Sequence, residues 1–310
     1  MADPVSVSID CTDIDVALAW YTGEGGLSVD TVFPADAPRQ VALSGSGLRL
    51  TLTEDGRAPV PVSAPALVVT RAEDQAFGSG RAGMQYRDLV PGRFGGRYIA
   101  SHIRIEQGGP VPDYVHHHQI DFQMICCVNG WVRVVYEDQG APMLLEAGDC
   151  FLQPPHIRHQ VLECSDKMEV IEIASPAEHE TSVDHVMRLP TERVDPDRDF
   201  NGQRFVFHRS SDANWLTSEV PGIEYRNTGI ATATAGLASV VALRSIGGAS
   251  DIPLRHSGEF HFVYLTAGSA SLNDELLGKG DAVAVPAGIE CTLRGPSDDF
   301  ECLEVLVLTR

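Results

Sequence analysis

The strongest constraint in this sequence is that one stretch of it occurs twice. His118, Gln123 and Gly130 recur as His256, His261 and Gly268 at a constant spacing of 138 residues. Gly148-Asp149, Pro154 and His159 recur as Gly280-Asp281, Pro286 and Cys291 at 132. The offset falls because Gly130 to Gly148 spans 18 residues and Gly268 to Gly280 only 12, which shortens one hairpin of the second copy. Further on, Met168-Glu-Val-Ile-Glu-Ile173 parallels Leu303-Glu-Val-Leu-Val-Leu308. Such a chain is expected to fold as two copies of one unit.

That unit is built of strands. Beyond residue 64, short runs rich in Val, Ile, Leu and Tyr return every 8–12 residues or so, broken by Gly, Pro and Asp, the pattern of sandwiches and barrels. The polar, proline-containing run from Arg188 to Gly202 reads as the seam between the copies, which places them at 57–190 and 203–310. Residues 1–56 have a different texture. Val5–Ile9 alternates as a strand, and Thr12 to Asp15 caps a helix carrying Val16, Leu18, Ala19 and Trp20 that stops at Gly23, Gly25 and Gly26. Strands follow at Leu27–Phe33, Gln40–Leu43 and Leu48–Thr53, giving a small βαβββ module. Arg57 to Ala64, stiffened by Pro59 and Pro61, reads as a linker.

Composition narrows the partners. Forty-three acidic against 23 basic residues leave a formal charge of −20, which repels nucleic acid and anionic membrane surfaces. The N-terminus lacks a basic region followed by an apolar one, and no run approaches 18 uncharged apolar residues, so a cytoplasmic protein off the membrane is expected. Seven cysteines without zinc-finger spacing then read as reduced thiols. Cys126-Cys127 reads as one buried thiol and one on the opposite strand face, with no redox role. PGRFGG, around Gly92 to Gly96, precedes a strand-like run and is a turn, not a nucleotide loop.

In VHHHQIDFQ the strand period of two puts His116 and His118 on one face and His117 on the other. His159 follows the Gly148-Asp149 turn, a strand at Cys150–Gln153 and the Pro154-Pro155 redirection, a path that can bring it to the same wall. Three neutral imidazoles suit Fe(II), Zn(II), Ni(II) or Cu(II) better than Mg or Ca.

Two resemblances go further. Residues 1–56 resemble one module of the glyoxalase/vicinal-oxygen-chelate fold, whose metal ligands come from the first strand and the end of the fourth. Here the first strand has no His or Glu and only Glu54 falls near the other position, so a structural or dimer-forming appendage is expected. His116, His118, Gln123 and Gly130, then Gly148, Pro154, His156 and His159, resemble the two blocks of the cupin signature, with Gln123 at the usual Glu and His156 at a turn Gly. The chain is thus similar to a bicupin over residues 66–310: a mainly β protein of two tandem cupin (double-stranded β-helix, or jelly-roll) barrels behind the βαβββ module.

That resemblance implies one divalent transition metal per chain on His116, His118 and His159, with Gln123 as a weak, neutral fourth group. The second copy has Leu254, His261 and Cys291 at eroded ligand positions; His256, His261 and Cys291 could bind zinc, but a metal-free barrel used for packing or enclosure is expected. A centre held by three imidazoles keeps its dipositive charge and favours a small anionic oxygen chelate such as an enediolate, catecholate or β-diketonate. With Fe(II) as first choice, and Zn, Ni, Mn or Cu as the others, the reading is a dioxygenase in which Gln123 hydrogen-bonds bound oxygen. A redox-neutral Zn or Ni isomerase, lyase or cyclase is the alternative, with Glu172 as base if Val170, whose parity it shares, faces the cavity; the other, favoured reading of Glu172 is a surface carboxylate with Ile171 and Ile173 buried. A non-catalytic metabolite binder is a third, but it would need an output module and none is visible. Arg158 either steers an anionic substrate or is solvated at a strand end, and a homodimer is expected.

Overall fold

The computed structural model describes residues 5–74, 76–79 and 83–308, so the outer ends of the expected units at 1 and 310 lie outside the described residues. The N-terminal module runs β1 (Val5–Cys11), α1 (Ile14–Gly23), β2 (Ser28–Phe33), β3 (Gln40–Gly45) and β4 (Leu48–Glu54). Asp13 caps α1, its carboxylate accepting from Val16 N at 2.9 Å. The sheet order is β1-β4-β3-β2, with β1 and β4 parallel and the other pairs antiparallel. Ile14 of α1 packs with Val32, Val41, Leu43, Leu50 and Leu52 in a small core.

This module is not a bead on a linker. The outer edge of β2 pairs with Thr181–Val183, which pairs with the histidine strand His116–His118, so one sheet runs from β1 into the first barrel. Arg39 of the module adds a two-pronged contact to Glu178, both N···O distances 2.8 Å.

The first barrel closes between that sheet and a second one. The first continues through His116–His118, His159–Cys164, Trp131–Tyr136 and Met143–Glu146. The second contains Cys150–Leu152, Phe122–Asn129, Met168–Ser175, Ile99–Ile105 and Gln85–Asp88. Ile103, Cys127, Val132, Phe151 and Val170 fill the space between them. The second barrel has its own interior of Val263, Leu265, Val283, Val285 and Leu293. A third core lies between the barrels, where Phe122, Met124 and Ile173 of the first meet Phe260, Phe262 and Val305 of the second. Phe122–Asn129 and Phe260–Ala267 are thus covered on both faces, which is why FQMICC and FHFVYL read as near-continuous apolar runs. Cys126 and Cys127 do face opposite ways, but both are buried, Cys126 between the barrels and Cys127 inside the first.

Two three-residue strands cross over between the barrels. Val68–Thr70, ahead of the first barrel in sequence, pairs with Ala282–Pro286 of the second. Val206–His208, beyond the seam, pairs with Cys150–Leu152 of the first. The ladders also correct the repeat at its last strand. Ile125 stands opposite Glu172 and Val263 opposite Glu304, so Glu172 corresponds to Glu304 and the spacing there is 132, not the 135 of the MEVIEI alignment. A slip of three is odd and exchanges the two faces of the strand.

His156 occupies the turn position that is Gly288 in the second copy, and both have positive φ, 63° and 78°. A side chain is strained there, and His156→Gly is expected to raise stability by up to about 1 kcal/mol in a denaturant titration. A loss of stability would show that the imidazole, 5.6 Å from that of His117, holds the turn. No helix among the described residues is long and apolar enough to cross a membrane.

Candidate metal centre

His116 and His159 are direct cross-strand partners, and His118 lies two residues along on the same face as His116. The three rings lie with centroids 4.2 Å (116 to 159), 5.1 Å (116 to 118) and 5.3 Å (118 to 159) apart. One nitrogen from each falls within 4.8 Å of the others, and no other group of three His, Cys, Asp or Glu side chains does so among the described residues. All three are buried.

Backbone carbonyls set the tautomers of His116 and His159. His116 Nδ1 donates to Tyr114 O at 2.8 Å and His159 Nδ1 to Ile157 O at 3.1 Å. His118 Nδ1 pairs with Thr181 Oγ1 at 2.9 Å. A proton held on Nδ1 places the lone pair on Nε2, the arrangement a metal-ligating imidazole needs. The donor set and its spacing therefore fit a divalent transition metal. Asp113 Oδ1, 3.6 Å from His116 Nδ1, adds a negative charge behind that ring. His117 points away and is half-buried.

Gln123 is fully buried, and its amide has a defined polarity. Tyr136, stacked on His159, is itself buried, and burial with the nearby Glu172 charge pushes its hydroxyl far above the usual phenol range. Its proton goes to Gln153 Oε1 at 2.8 Å, and Gln153 Nε2 then donates to Gln123 Oε1 at 2.7 Å. With its oxygen so occupied, Gln123 is left with a buried Nε2 that has no hydrogen-bond partner among the described residues. The residue at the expected fourth-ligand position thus offers a donor, whereas an amide ligates metal through its oxygen.

Glu172 lines a cavity of about 80 Å3 together with His118, His159, Gln153 and Tyr136, under apolar walls that include Ile125, Val134 and Phe151. The structure therefore brings His116, His118, His159, Gln123 and Glu172 into one barrel interior. Arg158 is not loose at a strand end: its Nε is 3.1 Å from Asp184 Oδ2 and its Nη1 donates to His156 O. Sequence reasoning missed Tyr136, Gln153, Thr181 and His179. His179, 5.4 Å ring to ring from His118, is held neutral by burial.

In the second barrel His256 and His261 lie 5.2 Å apart, but His256 Nε2 donates to Val285 O and His261 Nε2 pairs with Glu304 at 2.8 Å. His261 stands where the first barrel has Gln123, and Glu304 where it has Glu172. A histidine–carboxylate pair thus occupies the place of Gln123 and Glu172.

No family model matches the sequence, and no curated protein does. Solved structures do. Oxalate decarboxylase from Bacillus subtilis at pH 4.6 superposes with a TM-score of 0.57 at 11% identity, over 79% of this chain and 77% of its own. The protein Ylba from E. coli gives 0.55 at 12%, over 82% of this chain and 95% of its own. Another structure of the decarboxylase, from work on its Mn(II) centres, matches at 0.57 and 11%, over 82% of this chain and 80% of its own. At such identity the likeness is one of fold, and with two duplicated barrels and a histidine cluster in the first, the chain has the tandem cupin fold.

Proposed function

We propose that this protein is a metal-dependent dioxygenase that acts on a small anionic oxygen chelate, an enediolate, catecholate or β-diketonate, with Fe(II) on His116, His118 and His159. The observation that carries this is the donor set: three buried imidazoles and no carboxylate within the cluster. Neutral donors cancel none of a dication's charge, so an anionic oxygen ligand is the species that completes the site. Iron bound there would supply open positions for the chelate and for O2 and would pass electrons from the electron-rich substrate to O2.

The chain's own residues hold and shape the rest. The histidines, fixed through Nδ1, hold one geometry. Gln123 offers its amide N–H to a bound oxygen, and the Tyr136–Gln153 relay keeps that polarity. The apolar walls exclude water from a cavity sized for a small ligand. Zn, Ni, Mn and Cu fit the same donors, and Mn has the decarboxylase neighbour on its side.

Glu172 favours a second reading. A carboxylate in the cavity can move a proton while the metal polarises a carbonyl, which is the work of a redox-neutral isomerase, lyase or cyclase. Oxygen separates the two. Untagged protein, loaded with metal and assayed over 1,2-diols, 1,3-diketones and hydroxylated aromatics, is expected to consume O2 in step with substrate. Turnover that continues unchanged under strict anaerobiosis would remove the dioxygenase reading.

A further inference from the structure

Because the barrels are copies, each position where they meet can be compared with its counterpart. On one side Arg87, buried at 3% exposure, donates Nη2 to Gly280 O of the second barrel at 2.9 Å and meets His102 Nδ1 at 3.0 Å. His102 Nε2 is 3.0 Å from Glu169 Oε2, and that contact holds the Glu169 carboxyl below its usual range. Phe77 lies edge-on to the imidazole at 5.1 Å and Tyr264 at 5.9 Å. Guanidinium, imidazole and carboxylate form one chain, with two aromatic rings packed on its imidazole.

The other side keeps this frame but loses its middle. Arg226, 8% exposed, donates Nη2 to Gly148 O of the first barrel at 3.2 Å and lies over Trp215 as Arg87 lies over Phe77. The ladder that sets Arg87 opposite His102 sets Arg226 opposite Ala242. The ladder that sets Arg104 opposite Glu169 sets Arg244 opposite Glu301. Cys126 stands for Tyr264 at the repeat spacing of 138. With imidazole and phenol both replaced by small side chains, a cavity of about 290 Å3 opens, lined by Cys126, Cys150, His208, Arg226, Thr266 and Glu301 among others.

Its polar walls lack partners. Among the described residues Arg226 has no carboxylate within 4.0 Å, although a buried guanidinium is costly without one. Asp149 does not serve, since its two oxygens accept from Ser210 N and Glu146 N. His208 Nε2 and Thr266 Oγ1 are buried without hydrogen bonds among the described residues, and the half-buried Glu301 lines the cavity with them. The Nε atoms of Arg87 and Arg226 are both unpartnered, so what separates the two sides is the missing bridge.

We propose that this cavity between the barrels binds a small carboxylic acid bearing a hydroxyl or amino group, with the carboxylate on Arg226 and His208 and the donor on Glu301. The acid replaces the imidazole by offering an acceptor to the guanidinium and a donor to the carboxylate. A soft metal on Cys126 and Cys150 is opposed by the adjacent Arg226 charge and by the contact with Cys150 and the burial that push the Cys126 thiol well above its usual range. The site is separate from the histidine centre, because Cys126 and Gln123 face opposite sides of Phe122–Asn129.

The test titrates glycolate, glycine and acetate into the full chain by calorimetry, comparing wild type with Ala242→His and His118→Ala. Ala242→His rebuilds the imidazole of the sister side, so the fold has a precedent for it. Glycolate or glycine is expected to saturate at one site, roughly tenfold or more tighter than acetate, and Ala242→His to weaken it by a similar factor without lowering Tm or metal content. Four results overturn the proposal: no saturation by about 10 mM, acetate binding as well as the donor-bearing acids, full binding in Ala242→His, or loss in His118→Ala alone, which would assign the ligand to the histidine centre.

Discussion

His118→Ala is expected to cut bound metal more than roughly tenfold, while His117→Ala, one residue away, leaves it nearly intact. His118 supplies one of three imidazole nitrogens clustered within 4.8 Å, and His117 faces the other side of the strand. Each lost donor removes a bond that water replaces poorly, and one to two decades of affinity is the scale seen even for outer partners of metal ligands. Activity should fall with the metal. Untagged wild type is expected to hold one equivalent per chain, and His256→Ala to change nothing, because His256 and His261 are already committed to Val285 O and Glu304. Metal analysis reads all four proteins. Full occupancy in His118→Ala would dismantle the centre, and two equivalents in wild type would move attention to the second barrel.

The second large effect concerns charge. Gln123→Glu is expected to weaken an enediolate or catecholate by ten- to a hundredfold, roughly 1.4 to 2.8 kcal/mol, because a buried carboxylate would face a bound anion. One new oxygen can still accept from Gln153 Nε2, as Gln123 Oε1 does now at 2.7 Å. The other stands where the unpartnered Nε2 was, so a donor becomes a negative acceptor. Tyr136→Phe should show a smaller loss in the same direction, since it removes the proton that sets the relay. Substrate Kd and metal content, measured together, separate weaker chelation from lost metal. Unchanged or tighter binding in Gln123→Glu with metal retained, and rates held or raised, would instead support the redox-neutral reading.

The duplication and the shared face of His116 and His118 could be read from the sequence because both are periodic: a repeat at 138 and 132, and a strand period of two. His159 followed from the repeat. The crossing strands Val68–Thr70 and Val206–His208 could not, since three residues are too few to show alternation. The MEVIEI alignment slipped by three because Glu and apolar residues recur often enough there to match in more than one register, and only the ladder decides. Glu172 depended on which face of its strand lay inside, a question the doubly covered sheet answers and composition does not. The Tyr136–Gln153–Gln123 relay joins residues far apart in sequence and leaves no local trace.

The crossing strands bear on why the second barrel persists. Leu254, His256 and Cys291 stand where the first barrel has His116, His118 and His159, and no second three-ligand cluster is found among the described residues. Yet Val206–His208, from the second barrel's stretch of chain, forms the edge of a first-barrel sheet, and Val68–Thr70 does the same in return. Deleting either half would strip a strand from the survivor and expose an unpaired sheet edge, together with the apolar face of Phe122, Met124 and Ile173 in the first barrel or of Phe260, Phe262 and Val305 in the second. The strand exchange therefore ties the second copy's backbone to the first whatever residues occupy its histidine positions.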